Sequence, residues 1–94
     1  MKIPLAHSSL NDEESAAIER VVARGRLALG PEVKAFEEEF AQWLAVDAAV
    51  ATNSGTSALI AALRAVGVGA GDEVIIPALT YVATANAVLN CGAR

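Results

Sequence analysis

Apolar and polar positions along the chain fall into four helical patterns and two short apolar runs. Asn11 stands where a helix cap belongs, and Glu14 three residues later completes a capping box. Ile18, Val21 and Val22 then share one face, and Gly25 ends the pattern. Gly30-Pro31 restarts it, with proline suited to the first helical turn. Val33, Phe36, Phe40, Trp43 and Leu44 make a stripe at helical spacing, while Glu32, Glu37, Glu38 and Glu39 lie mostly off it. That is an amphipathic helix with a solvated acidic face.

The second half changes period. Ala48 to Ala51 is a short apolar run that opens into Thr52-Asn53-Ser54-Gly55-Thr56, which predicts a buried strand and a tight turn. A helix rich in alanine and leucine is expected from Thr56 to about Val66, broken by Gly67, Gly69 and Gly71. Glu73 to Ile76 is a second β-branched strand stopped by Pro77, and Thr80 to about Asn90 is helical again with Gly92 as its terminator. Strand, helix, strand, helix is the order of an α/β fold with a mainly parallel, helix-flanked sheet. A further strand is expected next, so this sheet is incomplete in the chain.

Charge sharpens the division. Residues 1–47 carry nine acids and five bases, whereas 48–94 carry only Arg64, Asp72, Glu73 and Arg94. A stretch so poor in charge cannot solvate every side of a small domain, so its elements should be covered by other parts of a larger protein or by another chain. We therefore divide the chain into an N-terminal helical segment, 1–47, and the start of a larger domain, 48–94.

With 94 residues the chain is one domain at most, and a net charge of −4 argues against a nucleic-acid partner. The run from Val74 to Ala93 has no charge, but Pro77, Thr80, Tyr81, Thr84, Asn86 and Asn90 argue against a membrane span. No signal peptide is visible, and the single cysteine, Cys91, fits a reducing compartment, so a cytoplasmic location is expected.

Several chemistries fail on the residues. Gly67-Val68-Gly69-Ala70-Gly71 has Asp72 where a dinucleotide fingerprint needs its third glycine, and it follows a helix instead of a strand. It is a loop. Ser54 lacks the flanking glycines of a nucleophile elbow. His7 is the lone histidine and Cys91 the lone thiol, so no zinc cluster is possible. His7 reads as an ordinary solvated or satisfied side chain.

One feature remains. Asn53-Ser54-Gly55-Thr56-Ser57 joins a strand to a helix, where free N–H groups and the helix dipole favour an anion. Gly55 lets a ligand approach, and the hydroxyls of Ser54, Thr56 and Ser57 either add donors or only cap the helix. Pro77-Ala78-Leu79-Thr80-Tyr81 is a second such turn on the same edge of a parallel sheet, so Tyr81 presents its ring near the anion site or packs in the core.

These turns carry a resemblance. Ser54-Gly55-Thr56-Ser57-Ala58-Leu59, Ala62-Leu63-Arg64-Ala65, Gly67 through Ile75, Pro77, Thr80 and Ala83-Thr84 resemble the DegT/DnrJ/StrS family of pyridoxal-phosphate-dependent sugar aminotransferases. Ile3-Pro4-Leu5-Ala6, Gly30-Pro31-Glu32-Val33 and Phe36 through Ala41 are similar too. The resemblance implies the N-terminal part of an aspartate-aminotransferase (type I) fold. It also implies a homodimer that moves an amino group, usually from glutamate, to a nucleotide-linked keto-sugar. Gly55 and Thr56 would bind the phosphate of pyridoxal 5'-phosphate (PLP), with Ser54 and Ser57 beside them, and Tyr81 would stack on its ring.

Such an enzyme needs a lysine for the Schiff base and an acid at the pyridinium nitrogen. The chain has only Lys2 and Lys34, and neither sits in the family's lysine motif, so no catalytic residue is assigned. The leading expectation is an N-terminal fragment that is inactive by itself. The alternative is a non-catalytic module that binds a phosphate ligand or complements another chain.

Overall fold

The computed structural model describes Ala6 and residues 8–94. His7 and Lys2 lie outside the described residues, as do Ile3, Pro4 and Leu5 of the N-terminal motif. Four helices follow one another: α1 (Asp12–Arg24), α2 (Pro31–Leu44), α3 (Gly55–Ala65) and α4 (Ala83–Asn90). The chain divides into two compact units, with the break between Ala49 and Val50.

The first unit holds α1 and α2. The Asn11 side chain accepts from the Glu13 N–H at 2.8 Å, and the Glu14 carboxylate accepts from the Asn11 N–H at 2.7 Å. This is the capping box read from the sequence. Gly25 ends α1 at φ 67°, a left-handed position that glycine enters freely. Pro31 opens α2, and an ion pair from Arg24 to Glu32 joins the end of α1 to the start of α2. The α2 stripe forms as an aromatic row, with Phe36–Phe40 and Phe40–Trp43 ring centroids 5.6 and 5.8 Å apart. It is not a core here. Ala41 is the one buried residue of α2, and Trp43 is 77% exposed.

The second unit is built on α3 against α4, with Ala87, Val88 and Ala93 buried. Ala87 and Val88 lie on the inner face of α4, so the alanine-rich composition allows close helix approach. Gly92 ends α4 at φ 82°, where a side chain would also come within 3.7 Å of the Ala70 backbone. The glycine run forms a turn, with Gly67 and Gly71 at φ 86° and 95°. Asp72 holds that turn by accepting from the Gly69 N–H at 2.8 Å.

Two expectations are corrected. No strand is formed among the described residues, so the mainly parallel sheet is not present, and residues 48–51 and 73–76 carry no regular secondary structure. A strand needs a partner, because its N–H and C=O groups point sideways. A single rung does form: the Arg94 N–H donates to Asp72 O at 3.0 Å and the Val74 N–H donates to Arg94 O at 2.7 Å. Two bonds flanking Glu73 and meeting at Arg94 are the parallel pattern. The Arg94 guanidinium adds an ion pair to Glu73 at 3.0 Å. The last helix begins at Ala83, not near Thr80, because residues 78–80 bend before the chain turns into it.

Candidate functional site

The turn before α3 is organised by its own side chains. Ser54 is the cap of α3, with extended backbone, and its hydroxyl oxygen accepts from the Ser57 N–H at 3.1 Å. The Ser54 hydroxyl donates to the Ser57 oxygen at 3.0 Å, and the Ser57 hydroxyl donates to Asn53 Oδ1 at 2.7 Å. Thr52 donates its hydroxyl to Ser54 O at 2.9 Å. Among the described residues, the N–H groups of Gly55 and Thr56 and the Thr56 hydroxyl carry no hydrogen bond. They are the first two positions of an 11-residue helix, where orphan donors and the positive end of the dipole coincide.

Gly55 is informative for what it does not need. Its backbone is not left-handed, and a Cβ there would meet nothing within 4 Å. Neither chain conformation nor packing in this unit calls for glycine, so what its missing side chain provides is open access to the N–H groups.

The second turn meets the first at a cavity of about 600 Å³ within the second unit. Gly55 and Thr56 line it from α3, and Tyr81 and Thr84 line it from the start of α4. Ala58, Leu59, Ala62 and Ala83 supply its apolar wall. Tyr81 is 79% exposed, which leaves its ring faces open within this unit. Thr80 and Thr84 pair their hydroxyls at 3.2 Å across the bend that carries Tyr81, and the Thr84 N–H donates to Tyr81 O at 3.0 Å. Of the five residues singled out from sequence, the cavity therefore gathers Gly55, Thr56 and Tyr81. Ser54 and Ser57 are adjacent but turned to the cap network.

Residues 8–94 match the sequence model of the DegT/DnrJ/EryC1/StrS aminotransferase family. The chain belongs to this family.

Its DegT/DnrJ/EryC1/StrS membership is supported from two further directions. The chain is 48% identical over 93 residues to the dTDP-3-amino-3,4,6-trideoxy-alpha-D-glucose transaminase of Streptomyces venezuelae, covering 99% of this chain and 24% of the relative. Its structure is similar to that of S. venezuelae DesV in complex with a ketimine intermediate, with TM-score 0.80 and 53% identity over 86% of this chain and 22% of the other. It is also similar to the E. coli GDP-4-keto-6-deoxy-D-mannose-3-dehydratase with bound hydrated PLP, with TM-score 0.90 and 30% identity over 99% of this chain and 25% of the other. The chain thus spans about a quarter of the length of the relatives it matches.

Lys34 is the one lysine among the described residues. Lys34 lies on α2 in the first unit, 78% exposed and 3.6 Å from Glu38, as a surface helix pair. The sequence analysis placed Asn53 in the first turn and Thr84 in the resemblance but gave neither a role. Both pair across four residues at a helix entry, Asn53 with Ser57 and Thr80 with Thr84. No helix among the described residues is long and apolar enough to cross a membrane.

Proposed function

We propose that this chain supplies the cofactor-phosphate cup and ring cover of a PLP-dependent aminotransferase acting on a nucleotide-linked keto-sugar, with glutamate as amino donor and a homodimer as the working form. Residues 48–94 open its PLP-binding large domain. The observation that carries the reading is the convergence of uncommitted donors at Gly55 and Thr56 with the open ring of Tyr81 on one cavity.

The residues fit the group. Two N–H donors and a hydroxyl at a helix start suit a phosphate dianion. An exposed tyrosine face suits a flat pyridine ring, and the glycine leaves the approach open. When bound, PLP supplies an electron sink for carbanion chemistry. This chain's residues do the holding. Gly55 and Thr56 fix the phosphate, Tyr81 covers one ring face and limits water there, and the Thr80–Thr84 pair keeps the Tyr81 bend in place.

A second reading is a non-catalytic module that binds a phosphate ligand or completes a site on another chain. One substitution tests the cup in either case. In the full-length protein carrying this segment, Thr56→Val should weaken PLP binding about ten- to hundred-fold, the value of a hydrogen bond to a charged group. Equilibrium dialysis reads it. Unchanged affinity would remove the cup.

A further inference from the structure

Each hydroxyl has one proton to give, so the turn before α3 can be audited proton by proton. Thr52 gives its proton to Ser54 O. Ser54 gives its proton to Ser57, and Ser57 gives its proton to Asn53 Oδ1 at 2.7 Å, the shortest bond of the set. The Ser57 N–H is spent on Ser54. Between residues 52 and 57, the one hydroxyl proton left uncommitted belongs to Thr56, and beside it are the N–H groups of Gly55 and Thr56.

We propose that Asn53 is a positioning residue of the anion site: by taking the Ser57 proton it locks Ser54 and Ser57 into the cap, so that within this turn Gly55 and Thr56 supply the anion contacts. The proposal rests on the phosphate-cup reading and revises it, since it removes two serines from direct contact with the ligand. The physical logic is direction. Ser57 accepts from Ser54 and donates to Asn53, so its oxygen faces away from any group in the cavity, which it does not line. Without an acceptor at residue 53 the Ser57 hydroxyl is free to rotate, the chain through Ser54 loses its anchor, and the two N–H groups are held less firmly in their common aim.

Because Asn53 acts through Ser57, removing either one breaks the same chain. The test is a double-mutant cycle in the full-length protein that carries these residues, with PLP and its phosphate-free analogue pyridoxal as probes and equilibrium dialysis as the readout. Asn53→Ala and Ser57→Ala should each weaken PLP binding roughly three- to tenfold, the range of one neutral hydrogen bond. The double variant should lose no more than either single one. Pyridoxal binding should not move, because the defect is confined to the phosphate. Ser57→Thr, which keeps the hydroxyl, should restore PLP binding and guards against reading a folding defect as a binding one.

The proposal is overturned if Ser57→Ala weakens PLP binding while Asn53→Ala does not, because Ser57 is then a direct ligand. It is overturned equally by multiplying losses in the double variant, by parallel losses of pyridoxal, or by no loss in either single variant. Failure of the cup itself is separate: it shows as an unchanged Thr56→Val.

Discussion

The two turns that meet at the cavity are built on opposite plans. The turn at 52–57 closes with four side-chain hydrogen bonds and a capped helix. The turn at 77–83 enters α4 through Val82, which offers no side-chain cap, and its one side-chain bond is the Thr80–Thr84 pair. The first turn holds backbone groups still, which an anion requires, since its binding depends on several donors aimed at one point. The second holds a side chain out, which stacking requires, since a flat ring tolerates sliding over a flat partner. The comparison teaches that one cavity can be edged by a loop saturated with its own hydrogen bonds and by a loop that leaves an aromatic ring exposed, and in the proposed function these are two halves of one binding task.

The largest expected effect tests whether these halves amount to a catalyst. Neither turn contributes a reacting amine, and Lys34 is a surface residue paired with Glu38. The 94-residue chain alone should therefore show no amino transfer from glutamate and no stoichiometric PLP adduct on one lysine. A labelled adduct mapped to a single lysine by peptide mass analysis, with turnover, would break the comparison outright.

A smaller effect separates access from conformation at the first turn. Because a Cβ at residue 55 meets nothing within 4 Å, Gly55→Ala should keep the melting temperature of the cofactor-free protein. The added methyl sits where the phosphate approaches, so PLP binding should fall by about ten- to hundred-fold, as for one lost bond to a charged group. A lowered melting temperature with unchanged PLP affinity would show that the glycine serves the fold instead.

The smallest effect belongs to the second turn. Tyr81→Phe should be nearly silent, since the ring is kept and the phenol has no hydrogen bond among the described residues. Tyr81→Ala should cost about 0.5–1.5 kcal/mol of stacking beyond the lost buried area. Because the ring is exposed here, the loss should appear in PLP affinity and in the melting shift on adding PLP, not in the cofactor-free melt. Equal destabilisation with and without PLP would return Tyr81 to a packing role.

The helices were legible because their signals are local. Asn11, Glu14, Pro31, Ser54 and Gly92 each act within one turn of a helix end, and all five do in the structure what their residue types dictate. The sheet was not, because strand formation is a property of pairs. Val74 and Ile76 have the composition of a strand, but the described chain offers Val74 a single rung. The start of α4 was read three residues early, since the Thr80 hydroxyl bonds sideways to Thr84 instead of starting the helix. At the proposed site, residue types pointed to the two turns that line the cavity, and the resemblance assigned the phosphate and ring roles. Which serine proton goes where is set by rotamers, and a string of hydroxyl residues does not carry that information. The aromatic row of α2 makes the same point in the first unit: its periodicity specified a helix face, but not the surface that covers it.

The rung at Glu73 and Arg94 also bears on how the chain assembles. Its partners are 21 positions apart, with α4 between them. The entropy of closing such a loop grows only with the logarithm of its length, so this non-local contact is an inexpensive one to make. Contacts of short range set fast folding, and nascent chains fold from the N-terminus as they emerge. A helix closed at its base by this rung and an ion pair can thus form early, and its closure needs no residue outside 72–94.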